Sequence, residues 1–346
     1  MTKKRVTIKQ IAEKAGVSVA TVDRAINARV PVQSNTSARI FKAAEELGWQ
    51  PIRGSDNRQI TAPEAETVRC GFLLQKGRAA LHQYLAEALK KIVIREPSLN
   101  AEVQVEFMDT LDPSEVAERM CEMGRQVDAL AVVSVDHPFV SEAIDSLQSA
   151  EVPVVALQSD LSAQNLAGHI GINNRMCGRT AAWAIDHFSR GKSGSVGLLI
   201  GSHSFLNQED REIGYRSYFR EKAPNLSLLE SPVCLDDPEL VYEKSRELLE
   251  AHPEMVGLFS VGGGTAGLVR AMREYAGPDK PFCISIELTA QTRIGLIEGL
   301  LDLVIAPEVE QVARAAIEML IKAKRDTVIQ KHTRIMPFSF YTSENI

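Results

Sequence analysis

The sequence predicts an N-terminal all-α headpiece built on a helix-turn-helix, followed by a larger α/β domain of two lobes with parallel sheets. Apolar residues recur at helical spacing over residues 6–47, and strand-like runs alternate with helical segments from residue 70 onwards. The second part, about 270 residues long, is too large for one sheet and favours two lobes. We place the headpiece at residues 1–51, a linker at 52–67 and the α/β domain at 68–340.

The first two helices are predicted within the stretch 6–27. The apolar face of the first helix, at i, i+3, i+4 and i+7, consists of Ile8, Ile11, Ala12 and Ala15. Gly16 supplies the left-handed residue that ends this helix, and Ser18 is the expected N-cap of the second. Such a pair can place its second helix in the DNA major groove, although an ordinary pair of bundle helices would give the same short pattern.

A third helix is predicted over Thr36–Leu47. Ile40, Ala43 and Ala44 lie on its apolar face, and Gly48 follows its end. Beyond residue 51 the helical spacing is lost, and Pro, Gly, Ser and Asp residues indicate a linker. Residues 1–60 carry eleven Lys and Arg against five Asp and Glu, whereas the other 286 residues carry 28 against 40. A basic headpiece on an acidic body is typical of a module that binds nucleic acid.

The composition is that of a globular protein, with 45% hydrophobic and 24% charged residues. No apolar run reaches the roughly 20 residues of a membrane span, and the Lys-rich start lacks the apolar core of a signal peptide. We therefore expect a cytoplasmic protein with no membrane partner. Five cysteines are scattered along the chain without metal-ligand spacing, and we interpret them as reduced core residues: Cys70, Cys121, Cys177, Cys234 and Cys283.

Eight short apolar runs predict buried parallel strands. They are Cys70–Leu74, Val103–Met108, Leu130–Ser134, Val152–Leu157, Val196–Ile200, Val256–Val261, Cys283–Ile286 and Leu303–Ala306. The predicted helices include Leu81–Val93, Ser114–Met123, Gly178–Phe188, Leu240–Leu249, Leu268–Tyr275 and Val312–Ala323. This alternating order predicts parallel sheets covered by helices on both faces.

Residues 6–51 resemble the DNA-binding headpiece of LacI/GalR-type transcription regulators. They match the pattern VT-x-x-x-IA-x-x-AGVS-x-x-TV-x-R-x-x-N and continue through the third helix to a final aromatic residue and Pro51. The resemblance implies that Val19, Ala20 and Arg24 approach base edges. It implies phosphate contacts for residues with hydroxyl or amide side chains, namely Thr7, Ser18, Thr21 and Asn27.

Three departures from the family pattern affect the headpiece. Asp23 stands where the family often has Ser, and its carboxylate would face phosphates. Ser37 stands where an Arg commonly follows the Thr of the third helix, with Arg39 as a possible substitute. Residues 52–60 lack the Ala-Arg-x-Leu pattern of the family's hinge helix, so we do not expect that helix to kink the operator.

The α/β part resembles the periplasmic-binding-protein-like effector domain of the same family. That fold places a ligand between two lobes, at the carboxyl ends of the strands, and the chain crosses between lobes three times. The resemblance implies crossings near Ile172–Asn174, Ala306–Glu308 and Asp326. Lobe 1 would then span about residues 68–172 and 307–326, and lobe 2 about 173–306 and 327–340.

The loops at the strand ends supply the candidate ligand site. The candidate residues are Arg78, Asp136, Asp160, Asn174, Arg211, Gly263, Glu287 and Glu308. Arg211 begins an Arg-x-x-Gly that matches the family's ligand-binding arginine, and Glu287 follows a strand where the family usually has Asp. The chain has Leu81 and His82 where sugar-binding relatives often have aromatics, which favours a polyol, smaller sugar or sugar derivative over a standard pyranose.

A competing interpretation starts from a glycine motif. Gly262, Gly264 and Gly267 form G-x-G-x-x-G between a predicted strand and a helix, and Glu287 follows 20 residues later. This pattern is typical of dinucleotide binding and would indicate an oxidoreductase or an NAD(H)-sensing regulator. No catalytic set accompanies it, because the histidines show no triad or metal-ligand spacing. We therefore expect neither an enzyme nor a bound cofactor or metal.

Together these features predict a sequence-specific DNA-binding transcriptional regulator of carbohydrate-related genes, and the family favours a repressor. A small sugar, polyol or sugar derivative would bind between the lobes as effector. One headpiece reads too few bases for specificity in a genome, so we expect a homodimer on a pseudo-palindromic operator. A periplasmic solute-binding protein is the other alternative, but it would not explain the first 50 residues.

Overall fold

A computed structural model describes residues 7–27, 34–47, 67–75, 80–189, 191–275, 279–326 and 330–346. The chain divides into two compact units, Met1–Glu64 and Ala65–Ile346. The linker predicted at 52–67 lies outside the described residues except for Thr67. Within the described part of the chain, no helix is long and apolar enough to cross a membrane.

The headpiece unit contains three helices, α1 (Ile8–Ala15), α2 (Val19–Asn27) and α3 (Ser34–Glu46). The side chains buried between them are Ile11, Ala12, Ala15, Val22, Ile40, Ala43 and Ala44. Burial of these side chains confirms the predicted apolar faces of the first and third helices.

Side-chain hydrogen bonds fix both ends of α1. Thr7 is the N-cap: its hydroxyl accepts from the Gln10 amide at 3.4 Å, and the Gln10 side chain accepts from the Thr7 amide at 2.8 Å. Gly16 adopts φ +64° and ends the helix as predicted. Arg39 of α3 donates from Nη2 to the Ala15 carbonyl at 2.7 Å and so ties the third helix to the turn.

The second unit begins with β1 (Val68–Gln75), α4 (Ala80–Arg95), β2 (Ala101–Met108), α5 (Pro113–Gly124), β3 (Ala129–Val132), α6 (Pro138–Ser149), β4 (Val154–Leu157) and β5 (Gly168–Ile172). It continues with α7 (Asn174–Ser189), β6 (Gly194–Leu199), α8 (Leu206–Lys222), β7 (Leu226–Leu228), α9 (Pro238–Ala251), β8 (Met255–Ser260), α10 (Thr265–Glu274), β9 (Phe282–Ile286), α11 (Ala290–Ile297) and β10 (Leu303–Ala306). It ends with α12 (Val309–Arg325), β11 (His332–Met336) and β12 (Ser339–Tyr341).

These elements form two lobes, each with a six-stranded sheet. Lobe 1 has the strand order β11-β5-β4-β3-β1-β2, and all of its pairs are parallel. Lobe 2 has the order β12-β10-β9-β8-β6-β7, and β12 runs antiparallel to β10. The two-lobed α/β prediction is therefore confirmed. Four of the described strands were not predicted, β5, β7, β11 and β12, and β12 is the antiparallel one.

The chain crosses between the lobes three times. The first crossing follows Ile172, because β5 belongs to lobe 1 and β6 to lobe 2. The second follows Ala306, because β10 belongs to lobe 2 and the next strand, β11, to lobe 1. Both crossings lie where they were expected. The crossing expected near Asp326 lies instead between Met336 and Ser339, since β11 pairs with β5 in the sheet of lobe 1. Lobe 1 therefore keeps residues 332–336, and only β12 returns to lobe 2.

Close contact between α7 and α8 positions the candidate site in lobe 2. A Cβ atom on Gly178 would lie 1.9 Å from the Arg211 carbonyl oxygen, and one on Gly214 would lie 2.2 Å from the Arg175 carbonyl oxygen. Only glycine at these two positions lets the helix backbones approach so closely. The approach places the start of α7 beside the middle of α8.

Replacement of Gly178 by Ala should separate these helices. We expect Gly178→Ala to lower the free energy of unfolding by about 3 kcal/mol, because a methyl group would overlap backbone that cannot move alone. Met176→Ala, at a position on the same helix that is 56% exposed, should change it by less than about 1 kcal/mol. Urea unfolding of both full-length variants measures the difference, and equal stability of the two would contradict the packing argument.

Candidate functional site

The start of α2 presents the candidate DNA-contacting residues of the headpiece. Ser18 and Ala20 are exposed, and Val19 is 49% exposed although its side chain is large and apolar. Val22, three residues later, is buried in the headpiece core. An exposed Val and Ala at a helix start could contact thymine methyl groups. The side chains of Arg24 and Asn27 lie outside the described residues.

Two of the predicted phosphate contacts take part in capping. The Thr7 hydroxyl is bonded to Gln10 at the start of α1. The Ser18 hydroxyl accepts from the Thr21 amide at 3.1 Å and lies 2.7 Å from the Thr21 hydroxyl, as expected for the N-cap of α2. A phosphate oxygen needs a donor, and the single O–H of Thr7 already donates to Gln10 Oε1 at 3.1 Å. Ser18 and Thr21 share one hydrogen bond between their hydroxyls, so one of the two keeps its O–H for a phosphate oxygen.

Arg211 of α8 is the charged group at the centre of the interlobe cleft. It is only 7% exposed, and its guanidinium is held by two bonds: Nε donates to Asn174 Oδ1 at 2.9 Å, and Nη1 donates to the Val261 carbonyl at 2.7 Å. Within the described part of the chain, Nη2 makes no hydrogen bond and can donate to a ligand. Asn174 therefore acts by orienting Arg211.

Asp236 is a cleft residue that sequence analysis missed. It follows Leu235 in a turn where both residues have positive φ, +51° and +55°. Its carboxylate accepts from the Gly263 amide at 2.6 Å and from Gln208 Nε2 at 3.0 Å. Burial raises the pKa of Asp236, while the bonds from Gly263 and Gln208 partly offset that rise.

Gln208 fixes the orientation of Asp236. Its Oε1 accepts from the amides of Gly201 and Ser202 at 2.7 and 3.2 Å, and its Nε2 donates to Asp236. Gln208 thus joins the loop after β6 to the turn before α9. Both ends of the Gln208 amide are occupied, so it positions other groups more than it offers free ones.

Glu287 lies directly after β9 and faces the same space. Its φ of +67° is in the left-handed region. Burial, together with the nearby Asp236 charge, raises the pKa of Glu287 to about 7, and Arg211 opposes that shift. The cleft therefore holds the Arg211 guanidinium close to two acidic side chains, Asp236 and Glu287, whose pKa values are both raised by burial.

The wall contributed by lobe 1 carries His82, Gln75 and Gln158. His82 is buried, and burial lowers its pKa, so the ring is neutral. Its Nδ1 donates to the Gln75 carbonyl at 3.1 Å, and its Nε2 lies 3.2 Å from the side-chain amide of Gln158. These residues and the groups of lobe 2 surround a cavity of about 50 Å³.

Asn207 has a buried oxygen without a partner. The residue is 9% exposed and lines the cleft, and its Oδ1 makes no hydrogen bond within the described part of the chain. A buried acceptor without a donor costs free energy, about 1–3 kcal/mol, unless a ligand or water satisfies it. A hydroxyl donor at this position would remove that cost.

The two lobes touch at the mouth of the cleft. The Asp136 amide donates to the Ser204 carbonyl at 2.9 Å, and the Asn207 amide donates to the Ser159 hydroxyl at 3.3 Å. Asp136 and Ser159 belong to lobe 1, and Ser204 and Asn207 to lobe 2. The lobes therefore stand closed over the polar groups.

Three predicted ligand residues point elsewhere. The Asp136 carboxylate accepts from the Ser162 amide at 2.9 Å, and the Asp160 carboxylate pairs with Lys331 at 2.9 Å. Glu308 accepts from the Tyr341 hydroxyl at 2.7 Å at the second crossing. These side chains bind partners outside the cleft, so the structure does not place them around a ligand. Arg78 lies outside the described residues.

The glycine motif serves the packing of lobe 2. A Cβ atom on Gly267 would lie 1.9 Å from the Pro238 carbonyl oxygen, and Gly264 has φ +72° at the start of α10. The Gly263 amide, which could bind a pyrophosphate, already donates to Asp236. A carboxylate at this position would repel a dinucleotide. The geometry therefore gives the motif a role in helix packing and Asp236 orientation.

The raised pKa of Glu287 predicts that stability falls as pH rises. An acid whose pKa is higher in the folded state than in the unfolded state binds extra protons when folded. The free energy of unfolding therefore falls as pH rises from the ordinary pKa of 4.5 to the folded value of about 7. Above pH 7 the whole reduction, up to about 3 kcal/mol, is present. Glu287→Gln should remove this loss.

The test is urea unfolding of the wild type and Glu287→Gln between pH 5 and pH 8. We expect the stability of the variant relative to the wild type to increase with pH, by about 2 kcal/mol over this range. Glu243→Gln, at an exposed site on α9, is the matched control and should keep a constant difference. A constant difference for Glu287→Gln as well would show that its carboxyl titrates normally.

Comparison with known families agrees with both units. The model for bacterial regulatory proteins of the lacI family matches residues 7–51. The model for a periplasmic binding protein domain matches residues 114–326, which is more than half of the chain.

Known relatives include two named regulators. The chain is 25% identical over 344 residues to the HTH-type transcriptional regulator IdnR of Escherichia coli (strain K12), with 97% of each protein covered. It is 22% identical over 215 residues to the probable HTH-type transcriptional repressor ExuR of Bacillus subtilis (strain 168). That second match spans 61% of this chain and 60% of the relative.

Solved solute-binding proteins share the fold of the second unit. One from Burkholderia graminis C4D1M, in complex with D-arabinose, has a TM-score of 0.73 at 17% identity, covering 82% of this chain and 97% of its own. One from Agrobacterium vitis with bound D-fucose has a TM-score of 0.71 at 15% identity, covering 80% and 96%. With a lacI-type helix-turn-helix ahead of a periplasmic binding protein domain, the chain belongs to the lacI family of bacterial regulatory proteins.

Proposed function

We propose that this protein is a sequence-specific DNA-binding transcriptional repressor of carbohydrate-related genes. A small sugar, polyol or sugar derivative binds between the lobes and changes the affinity for DNA. The observation that carries the proposal is the group of polar atoms in the closed cleft: Arg211 Nη2 as donor, Asn207 Oδ1 as acceptor, and the carboxyl groups of Asp236 and Glu287. Neighbouring hydroxyls can satisfy donors and acceptors together.

The comparisons support the same ligand class. Solute-binding proteins of the same fold hold D-arabinose, D-fucose or myo-inositol, all of which carry several adjacent hydroxyls. The relatives IdnR and ExuR are named as a transcriptional regulator and a probable transcriptional repressor, which supports a regulator rather than an enzyme. Asp236 at the Gly263 amide argues against NAD(H) as the ligand.

We further propose a homodimer that reads a pseudo-palindromic operator. One α2 helix contacts only a few bases, and two related headpieces double the contacts. Val19, Ala20 and Arg24 contact base edges, while the residues proposed to contact phosphates are Thr7, Ser18, Thr21 and Asn27. The supporting observation is that Ser18, Val19 and Ala20 are exposed at the start of α2.

A thermal-shift screen of the full-length protein tests the effector class. The panel contains sugars, polyols, sugar phosphates and NAD(H), because a ligand that binds only the folded state raises Tm by mass action. We expect stabilisation by a member of the sugar or polyol group and none by NAD(H). Stabilisation by NAD(H) alone would replace this proposal by the dinucleotide-sensing alternative.

A further inference from the structure

The interlobe cleft continues past Arg211 and Glu287 into a second space, which we call the apolar compartment. Its walls include Leu81 and Leu85 of α4, Ile170 and Ile172 of β5, Val312 of α12, and Met336 of β11. It has a cavity volume of about 50 Å³. It shares Gln158, Arg211, Ile286 and Glu287 with the polar part of the cleft.

Polar groups are found at only one end of the apolar compartment. Among its described lining residues, Gln158, Arg211 and Glu287 alone have polar side chains. Two nitrogens of Arg211 already donate to Asn174 and Val261. A water molecule needs two to four polar partners, so water at the far end of the compartment would be poorly satisfied. The space is chemically suited to an apolar group joined to something polar.

The apolar compartment also lies at the crossings between the lobes. Ile172 is the last residue of β5 before the first crossing, Pro307 lies in the second, and Met336 ends β11 before the third. A group in this space would contact both lobes, because Ile170 belongs to lobe 1 and Ile286 to lobe 2. Its binding energy would therefore differ between open and closed arrangements.

We propose, on the basis of the proposed function, that the effector is amphiphilic. Its hydroxyls bind in the polar part of the cleft, and an apolar substituent fills the apolar compartment. A deoxy sugar with a methyl group or a glycoside with a small alkyl group has this chemistry. A hydroxymethyl group in the same position would bury a hydroxyl without a partner. Leu81 and His82, adjacent in the chain, then face the apolar and polar parts respectively.

Matched sugar pairs test the proposal directly on the full-length protein. The pairs are D-galactose and D-fucose, L-mannose and L-rhamnose, and methyl and propyl galactosides, measured by calorimetry. In the pair that binds, we expect the more apolar member to bind about tenfold more tightly or better. Equal binding, or tighter binding by the hydroxymethyl sugar, overturns the proposal.

Filling the apolar compartment provides the second test. Leu81→Phe should abolish the preference for the apolar member while the parent sugar keeps its affinity within about threefold. Ile94→Phe, at an exposed site on the same helix, is the control and should leave the preference unchanged. If Leu81→Phe does not fold, Ile172→Thr supplies a hydroxyl instead and should reduce the preference. A preference that persists in the folded variant overturns the assignment.

Xenon binding separates failure of this proposal from failure of the proposed function. An apolar cavity of this kind binds xenon, so ¹²⁹Xe NMR of the full-length protein should show a bound signal that Leu81→Phe removes. If no bound-xenon signal appears, or if the signal persists in Leu81→Phe, the assignment of the apolar compartment is overturned. If xenon binds and every sugar and polyol fails, the compartment stands and the proposed effector class is wrong.

Discussion

Arg211→Ala should abolish the effector response while leaving DNA binding intact. The guanidinium lowers the pKa of both Asp236 and Glu287 by its charge, and it offers its Nη2 to a ligand. Loss of two charge-assisted hydrogen bonds to a ligand costs about 3 kcal/mol, so effector affinity should fall roughly 100-fold. Calorimetry with the effector and anisotropy with operator DNA measure the two activities separately.

Two further variants show whether the loss is specific. Arg220→Ala removes an exposed arginine from the same helix and should leave effector affinity unchanged. Arg211→Lys keeps the charge but cannot hold Asn174 and Val261 in the same fork geometry, so it should recover only part of the affinity. An unchanged effector response in Arg211→Ala would remove this residue from the site.

Arg24→Ala should strongly reduce discrimination between operator and random DNA. An arginine that contacts a guanine through two bonds contributes about 1–3 kcal/mol of specificity, so the operator preference should fall roughly 5- to 150-fold. The operator is first selected from random DNA by the wild-type protein, and both affinities are then measured at one salt concentration.

Lys42→Ala is the control for general loss of charge. Lys42 is exposed on α3, and its removal should weaken binding to all DNA sequences equally or not at all. A uniform loss in Arg24→Ala, with the operator preference retained, would assign Arg24 to a phosphate. Effector affinity should be unchanged in both variants.

Local patterns explain why the headpiece could be predicted from the sequence. The helical spacing of α1 and α3, the helix end at Gly16 and the N-cap at Ser18 each depend on only a few neighbouring residues. The structure shows each of them in its expected place. In the second unit, long apolar runs such as β1 and β9 were equally clear. By contrast, β5 has the sequence GHIGI and was missed, because glycines inside a strand weaken the strand pattern. Glycine is needed at position 171 because a Cβ atom there would lie 2.7 Å from the Gln158 carbonyl oxygen.

The ligand cleft was only partly predictable because its chemistry depends on tertiary contacts. α8 was missed because its sequence is polar, yet Asn207, Gln208 and Arg211 are among its buried residues. Asp236 precedes Asp237, which caps α9 by accepting from the Glu239 amide at 2.9 Å. Capping explains why Asp237 is acidic, but it does not explain Asp236. An acidic residue beside the cap, with no capping role of its own, is the signal that could have identified Asp236. Nothing in the sequence indicated that Asp160 would pair with Lys331, 171 residues away.

We expect a ligand in the cleft to control the affinity of the headpiece for DNA. The most direct measurement is the operator affinity of the full-length protein at fixed salt, with and without a saturating effector from the screen. For the wild type we expect a change of about 5- to 150-fold, the usual range of coupling between two sites. Arg211→Ala should show no change at the same ligand concentration. An operator affinity that stays constant when the wild type is saturated with effector would contradict the account.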